Sequence, residues 1–156
     1  MATSLEELKV LQITETLADE IWKQVTSWEK FPRDTIGNQL ARAVDSIGAN
    51  IAESFGRFHY SEKINHLYYS RGSLFETKYW INRCKTRKLL STETAEKYAL
   101  QLTEVARQIN TFVNSLKSQR ANQPKTLREL PAQYLEVNTE IHLPIYNDEE
   151  LAYLNL

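Results

Sequence analysis

Residues 91–117 read STETAEKYALQLTEVARQINTFVNSLK. Within them Ala95, Tyr98, Leu102, Val105, Ile109, Phe112 and Leu116 recur at alternating spacings of three and four residues, without a slip. Side chains so spaced fall on one side of an α-helix, and the unbroken alternation is the seam of a helical bundle or coiled coil. Ser91 or Thr92 supplies the hydroxyl that caps such a helix. One apolar seam cannot bury itself, so this helix needs partners of comparable length.

The chain upstream provides three. The first is predicted from about Leu5 to Trp28, with Ser4 and Glu7 in a capping-box pattern. Its stripe is Val10, Ile13, Leu17, Ile21, Val25 and Trp28. Phe31-Pro32 ends it, because the proline ring disfavours helical geometry at the residue before. Asp34 then caps a second helix, Thr35 to Phe55, whose core stripe is Ile36, Leu40, Ala43, Val44, Ile47, Ile51 and Phe55. Gly56 marks a turn. Ser61 and Glu62 open a third helix, which runs to about Thr86 and closes on Lys85-Thr86-Arg87-Lys88, cations that suit a helix C-terminus. Short links make sequential helices antiparallel neighbours. The prediction is an all-α, up-down-up-down four-helix bundle over residues 1–120. Only four Gly occur in the chain, and three of its four Pro fall at Pro124, Pro131 and Pro144, so the bundle gives way to an extended tail over residues 121–156.

Two features exceed what one core needs. Gln39, Arg42, Ser46, Asn50, Glu53 and Arg57 form a second stripe on helix two, rich in amides, small residues and Arg. That composition fits either a solvated face or a packed, hydrogen-bonded one. Helix three carries Tyr60, Tyr68, Tyr69, Phe75, Tyr79 and Trp80, six of the sixteen aromatics. One core cannot hold all these rings, so some are exposed or meet another chain. Gly72, mid-helix, costs about 1 kcal/mol relative to Ala, and close approach of another helix would offset that cost.

Chemistry is conspicuous by what is missing. There is no Gly-rich phosphate loop, no zinc-type His/Cys spacing and no Glu-x-x-His pair of the di-iron bundles. His59, His66 and His142 are scattered and read as surface residues. Cys84 reads as a packed thiol, since no base accompanies it. No cofactor, no metal and no catalytic residue is expected, and an enzyme is not. An acidic N-terminus and the absence of an apolar run of roughly 20 residues point to a soluble cytoplasmic protein with no membrane contact. The net charge of -1 hides a pattern. Residues 30–90 hold eleven Lys or Arg against five Asp or Glu, an excess of +6, while the two ends are acidic. A basic middle flanked by acidic ends marks either an interaction surface or intramolecular pairing.

Helices two and three also carry recognisable blocks: Gln39-Leu40-Ala41-Arg42-Ala43, then Ser46-Ile47-Gly48-Ala49-Asn50-Ile51-Ala52-Glu53-Ser54-Phe55-Gly56-Arg57, then Ser70-Arg71-Gly72-Ser73-Leu74-Phe75-Glu76. Over about residues 15–118 the chain resembles the four-helix bundle family of 23S rRNA intervening-sequence proteins. It departs from that family at Ser54, where Gly is usual, and at Gly48 or Ala49, where Pro is frequent. The resemblance implies an antiparallel bundle, assembly as a homo-oligomer, most simply a ring-like homopentamer, and no catalytic residues. A related branch, the accessory variability determinant proteins of diversity-generating retroelements, implies nucleic acid and a reverse transcriptase as partners. The signature residues Asn50, Glu53, Arg57 and Glu76 read as structural, with a Glu53 or Glu76 to Arg71 pair within the bundle or between chains.

The expected function is therefore a non-enzymatic oligomeric accessory protein. It would bind structured RNA or DNA, or a reverse-transcriptase-type partner, through Arg42, Arg57, Arg83, Lys85, Arg87 and Lys88 as one basic surface. Subunits would meet through Asn50, Glu53, Tyr69, Arg71, Glu76 and Trp80. The alternative is a scaffold ring that docks an effector protein through the tail. There Asn147-Asp148-Glu149-Glu150 would start a short helix, and Tyr146, Leu151, Tyr153 and Leu154 would be the docking side chains.

Overall fold

The computed structural model of the chain describes Leu5 and residues 7–122. The predicted cap Ser4 and the tail residues Tyr146, Leu151, Tyr153 and Leu154 lie outside the described residues. Four long helices make the bundle: α1 (Lys9–Thr26), α2 (Asn38–Gly56), α3 (Tyr60–Thr86) and α4 (Thr92–Ala121). No strand occurs among the described residues.

Contacts between helices fix their order and direction. Ser54 and Ser70 of α2 and α3 reach the carbonyls of Lys63 and Ile47 across the interface. Tyr60 at the start of α3 meets Gln119 at the end of α4. Glu20 on α1 meets Lys97 and Gln101 on α4, and Gly48 of α2 faces Leu11 and Thr14 of α1. Each pair runs antiparallel, so the helices close into the up-down-up-down ring that the short links imply.

The core follows the stripes, with shifts of phase. Leu17, Ile21, Leu40, Ile47, Ile51, Leu67 and Val105 are fully buried at its centre. On α4 the predicted Phe112 is only partly buried, and Val113 takes the core position. A strict three–four alternation drifts against 3.6 residues per turn, so one extra four-residue step, Ile109 to Val113, restores the phase. On α1 Leu11 and Thr14 are buried, whereas Ile13 and Trp28 only pack against the edge. Among the described residues, the four buried Ser and Thr hydroxyls donate to carbonyls: Thr14 to Val10, Thr77 to Ser73, Ser54 to Lys63 and Ser70 to Ile47, as buried polar groups must.

Helix boundaries differ from expectation in three places. α1 starts at Lys9, with Leu8 as a cap that gives no side-chain bond, and not at Leu5. Pro32 does not end a helix. It sits in a first helical turn, Lys30–Pro32, that continues through a π-helical turn, Arg33–Gly37, into α2. First-turn amides have no intrahelical acceptor, so a proline there forfeits nothing. Asp34 is accordingly no cap; it lies inside this segment and accepts from Arg33 Nε at 3.2 Å. α3 begins at Tyr60, one residue before Ser61, with His59 at the cap position giving no side-chain bond. On α4 the prediction holds, with Ser91 Oγ accepting from the Thr94 amide at 3.0 Å.

Candidate nucleic-acid interface

The end of α3 is built as a reversal of backbone handedness. Lys88 has φ 59°, and around it Leu89 N–H donates to Cys84 O at 2.9 Å while Lys88 N–H donates to Lys85 O at 3.0 Å. These two bonds are the Schellman pattern, which satisfies the last carbonyls of a helix. Its C-terminal partial negative charge favours cations nearby. Lys85, Arg87 and Lys88 are all exposed there, and Arg83, one turn back, is half-buried. Burial in the core pushes the Cys84 thiol up to about 11, against the opposing charge of Arg87. The thiol is protonated and packed at neutral pH.

The bundle order adds two cations that the sequence reading missed. The α1–α2 link and the α3–α4 link lie at the same end, so Lys30 and Arg33 join Lys85, Arg87 and Lys88. Up-down-up-down order was itself the signal that could have found them. Among the described residues, Lys30, Lys85, Arg87 and Lys88 have no ion pair; Arg33 is paired with Asp34.

The six predicted cations do not make one surface. Arg57 follows α2 at the opposite end, roughly 40 Å from Arg87 by the rise of the 27 residues of α3. Its guanidinium is already paired with Glu53, whose carboxyl is held below its ordinary range by that hydrogen bond. Arg42 lines a groove between α1 and α2 with Trp22, Arg33 and Asp45. Topology removes Arg57 from the basic end, whereas Arg42, one turn into α2, shares its groove with Arg33 and stays near that end.

The predicted subunit residues divide likewise. Glu53 pairs with Arg57 and, at 3.5 Å, with His66, whose ring meets Tyr69 edge-on at 5.5 Å between centroids. Asn50 donates to Ser46 O within its own helix. Trp80 Nε1 donates to Glu76 at 3.3 Å. Within the chain Arg71 therefore pairs with neither Glu53 nor Glu76; its guanidinium lies 5.8 Å over the ring of Phe75. Among the described residues no other helix approaches Gly72, where a Cβ would meet nothing within 4 Å. The surplus rings are exposed: Tyr69, Phe75 and Tyr79 by 60%, 56% and 56%, and Tyr68 by 43%.

Two adjoining grooves of about 300 and 400 Å³ run between α1 and α2 and share Asp45. Small residues, Ala18, Ala41, Gly48, Ala49 and Ala52, form their walls. Among the described residues no group of three His, Cys, Asp or Glu is placed to hold a metal, and no helix is long and apolar enough to cross a membrane.

The fold is similar to that of a crystallised protein of unknown function from the S23 ribosomal protein family of Bacteroides thetaiotaomicron VPI-5482. The TM-score is 0.60 at 23% identity, over 67% of this chain and 97% of that one. No curated protein matches the chain. The family model described as 23S rRNA-intervening sequence protein matches residues 6–111. A match over most of the bundle settles membership: the chain belongs to the 23S rRNA-intervening sequence protein family.

Proposed function

We propose that the protein is a non-enzymatic, oligomeric accessory protein that binds nucleic acid at the basic end of its bundle. The observation that carries this is the gathering of Lys30, Lys85, Arg87 and Lys88 at one end, exposed and without an ion pair among the described residues. Unpaired lysines and arginines on one surface release counterions from a phosphate backbone when they bind it, and that release drives affinity. The family's name, which refers to sequences intervening in 23S rRNA, supports the same chemistry. Assembly into a ring, most simply a homopentamer, would repeat the basic end and multiply its phosphate contacts. Tyr69 and Trp80, beside Glu53 and Glu76 on the α2 side of α3, are the side chains that such a contact would use.

Gel shifts with structured RNA and with duplex DNA test this. The comparison variant carries Lys30→Ala, Lys85→Ala, Arg87→Ala and Lys88→Gly, the glycine keeping the left-handed turn. Wild type should bind with affinity falling by orders of magnitude between about 50 and 200 mM salt, and the variant should lose about 0.9 of the log–log slope for each duplex contact removed. Equal binding by both proteins would move the site elsewhere, and no binding by wild type would remove the function. A second reading, a scaffold ring that docks an effector protein, is favoured by the α1–α2 grooves. Light scattering gives the subunit number for both readings.

A further inference from the structure

On the other side of α3 from the Glu53–His66–Tyr69 contact, Tyr68, Phe75 and Tyr79 stand at i, i+7 and i+11, so one helix face presents all three rings. All three are exposed. Cations are interleaved with them. Arg71 lies over Phe75 at 5.8 Å, and Lys117 reaches from α4 to 5.9 Å over Tyr68. Lys78, exposed, falls between Phe75 and Tyr79 on the same face. The positions that share this face from Tyr68 to Asn82 are 68, 71, 72, 75, 78, 79 and 82, and none is a carboxylate. Glu76, next to Phe75 in sequence, accepts from Trp80 Nε1.

Gly72 sits in the middle of the face with open space where its Cβ would be. No side chain stands at that position between Tyr68 and Phe75. Three exposed rings, three cations and no acid form a surface unsuited to open water and unsuited to an acidic helix with its own bulky side chains. They suit a polyanion whose repeating units carry flat aromatic faces.

We infer that the α3–α4 face is a stacking platform for single-stranded nucleic acid. Bases stack on Tyr68, Phe75 and Tyr79, and the phosphates between them meet Arg71, Lys78 and Lys117. Rings that alternate with cations along a groove are how proteins hold single strands without reading sequence, because every base has a π-face. A duplex keeps its bases stacked on one another and cannot use the rings. The platform thus assigns single strands as the preferred form, and it rests on the reading that the protein binds nucleic acid. It is a different surface from the basic end, which meets phosphates alone.

The test uses fluorescence anisotropy with a fluorescein-labelled oligothymidylate and an abasic oligonucleotide of the same length. Wild type should bind the thymidylate more tightly than the abasic strand. Tyr68→Ala/Phe75→Ala/Tyr79→Ala should lose at least about tenfold on the thymidylate, since stacking contributes about 1–3 kcal/mol per base. Its salt slope and its abasic binding should be unchanged. Arg71→Gln/Lys78→Gln/Lys117→Gln should weaken both strands and lower the log–log salt slope by up to about 2, at 0.7 per contact. Tyr68→Phe/Tyr79→Phe should bind like wild type. If the triple aromatic variant loses helical content, Phe75→Ala alone carries the comparison.

Wild-type binding that ignores the bases, or an aromatic variant that binds thymidylate as wild type does, overturns the platform and leaves the basic end standing. Loss of binding to every nucleic acid by wild type overturns both. If the aromatic variant instead changes the mass by light scattering while binding per protomer is unchanged, the face is a contact with a second copy, and the inference is wrong.

Discussion

Ser70 donates its hydroxyl to the carbonyl of Ile47 at 2.9 Å, with both side chains fully buried where α2 crosses α3. Ile47 O is a helix carbonyl with a second lone pair, so the bond adds to the α2 ladder without competing with it. Two turns further along the antiparallel pair, from Ile47 to Ser54 on α2 and from Ser70 back to Lys63 on α3, Ser54 repeats the device on Lys63 O at 2.8 Å. Two small residues thus let the helices approach and also bind them. The familiar blocks Ser46–Arg57 and Ser70–Glu76 hold these serines. Ser70→Ala should cost about 1 kcal/mol, the net value of one hydrogen bond. Ser70→Leu should cost more, about 1–3 kcal/mol, because the close approach leaves no volume for it. Urea denaturation followed by circular dichroism ranks the two, and a leucine variant as stable as wild type would show that the helices are not tightly apposed there.

Three glycines make a graded comparison. At Gly37 an added Cβ would lie 2.7 Å from Val25 Cγ1, 3.2 Å from Pro32 O and 3.3 Å from Trp28 Cε3. Backbone and an indole cannot yield easily, so Gly37→Ala should destabilise by about 1–3 kcal/mol. At Gly48 the nearest atoms are 3.6 and 3.7 Å away, and at Gly72 there are none. Both are mid-helix, so alanine there should stabilise by up to about 1 kcal/mol. Thermal melts of the three variants check the order. A Gly72→Ala variant that loses mass in light scattering would reveal a second helix packed on that glycine.

The core was legible because burial imposes a period. Leu40, Val44, Ile47 and Ile51 on α2, and Leu67, Leu74 and Ile81 on α3, are buried as their spacing requires. Phe112 was misplaced because a 3.5-residue repeat and a 3.6-residue helix diverge over four turns. Pro32 was misread because a proline before a helix and one inside its first turn look alike in a string of letters. The cations of residues 83–88 were legible as a group because they are local. Lys30, Arg33 and Lys117 join their surfaces only through tertiary packing, which spacing along one helix does not encode. Arg57 failed for the converse reason: it belongs to the same stripe as Arg42, yet the stripe runs the length of the bundle.

Acid should weaken the fold through two carboxylates. Glu20 accepts from Lys97 at 2.8 Å and from Gln101 at 3.3 Å, tying α1 to α4, and the Lys97 bond holds its pKa below the ordinary 4.5. Glu104 is gripped by Arg107 at 2.8 and 2.6 Å and by Gln108, and is held down at about 2. A carboxylate with a depressed folded pKa stabilises the native state above its unfolded pKa and loses that contribution as pH falls through its folded one. For Glu104 the window runs from 4.5 to about 2. Solvent screens both groups, so each effect is modest. Urea midpoints should fall across that window, and Glu104→Gln should flatten the fall. An unchanged profile in the variant would mean that the Arg107 pairing does not persist in solution.

Lys88 is a non-glycine residue in the left-handed region, where a Cβ crowds the following carbonyl and costs roughly 1–2 kcal/mol. The Schellman bonds around it, Leu89 to Cys84 and Lys88 to Lys85, need that backbone conformation but not that side chain. Glycine is the residue that the geometry alone would select. Lys88→Gly should therefore raise stability by about 1 kcal/mol, and Lys88→Ala, which keeps the Cβ, should leave it nearly unchanged. Urea midpoints of the two variants decide this, and equal midpoints would mean that the turn relaxes out of the left-handed region. The same glycine variant should bind nucleic acid more weakly, with a shallower salt slope. Stability and affinity moving in opposite directions at one residue is the mark of a side chain kept for its charge in a position that its backbone disfavours. Alanine, weak in binding and unchanged in stability, separates the two effects.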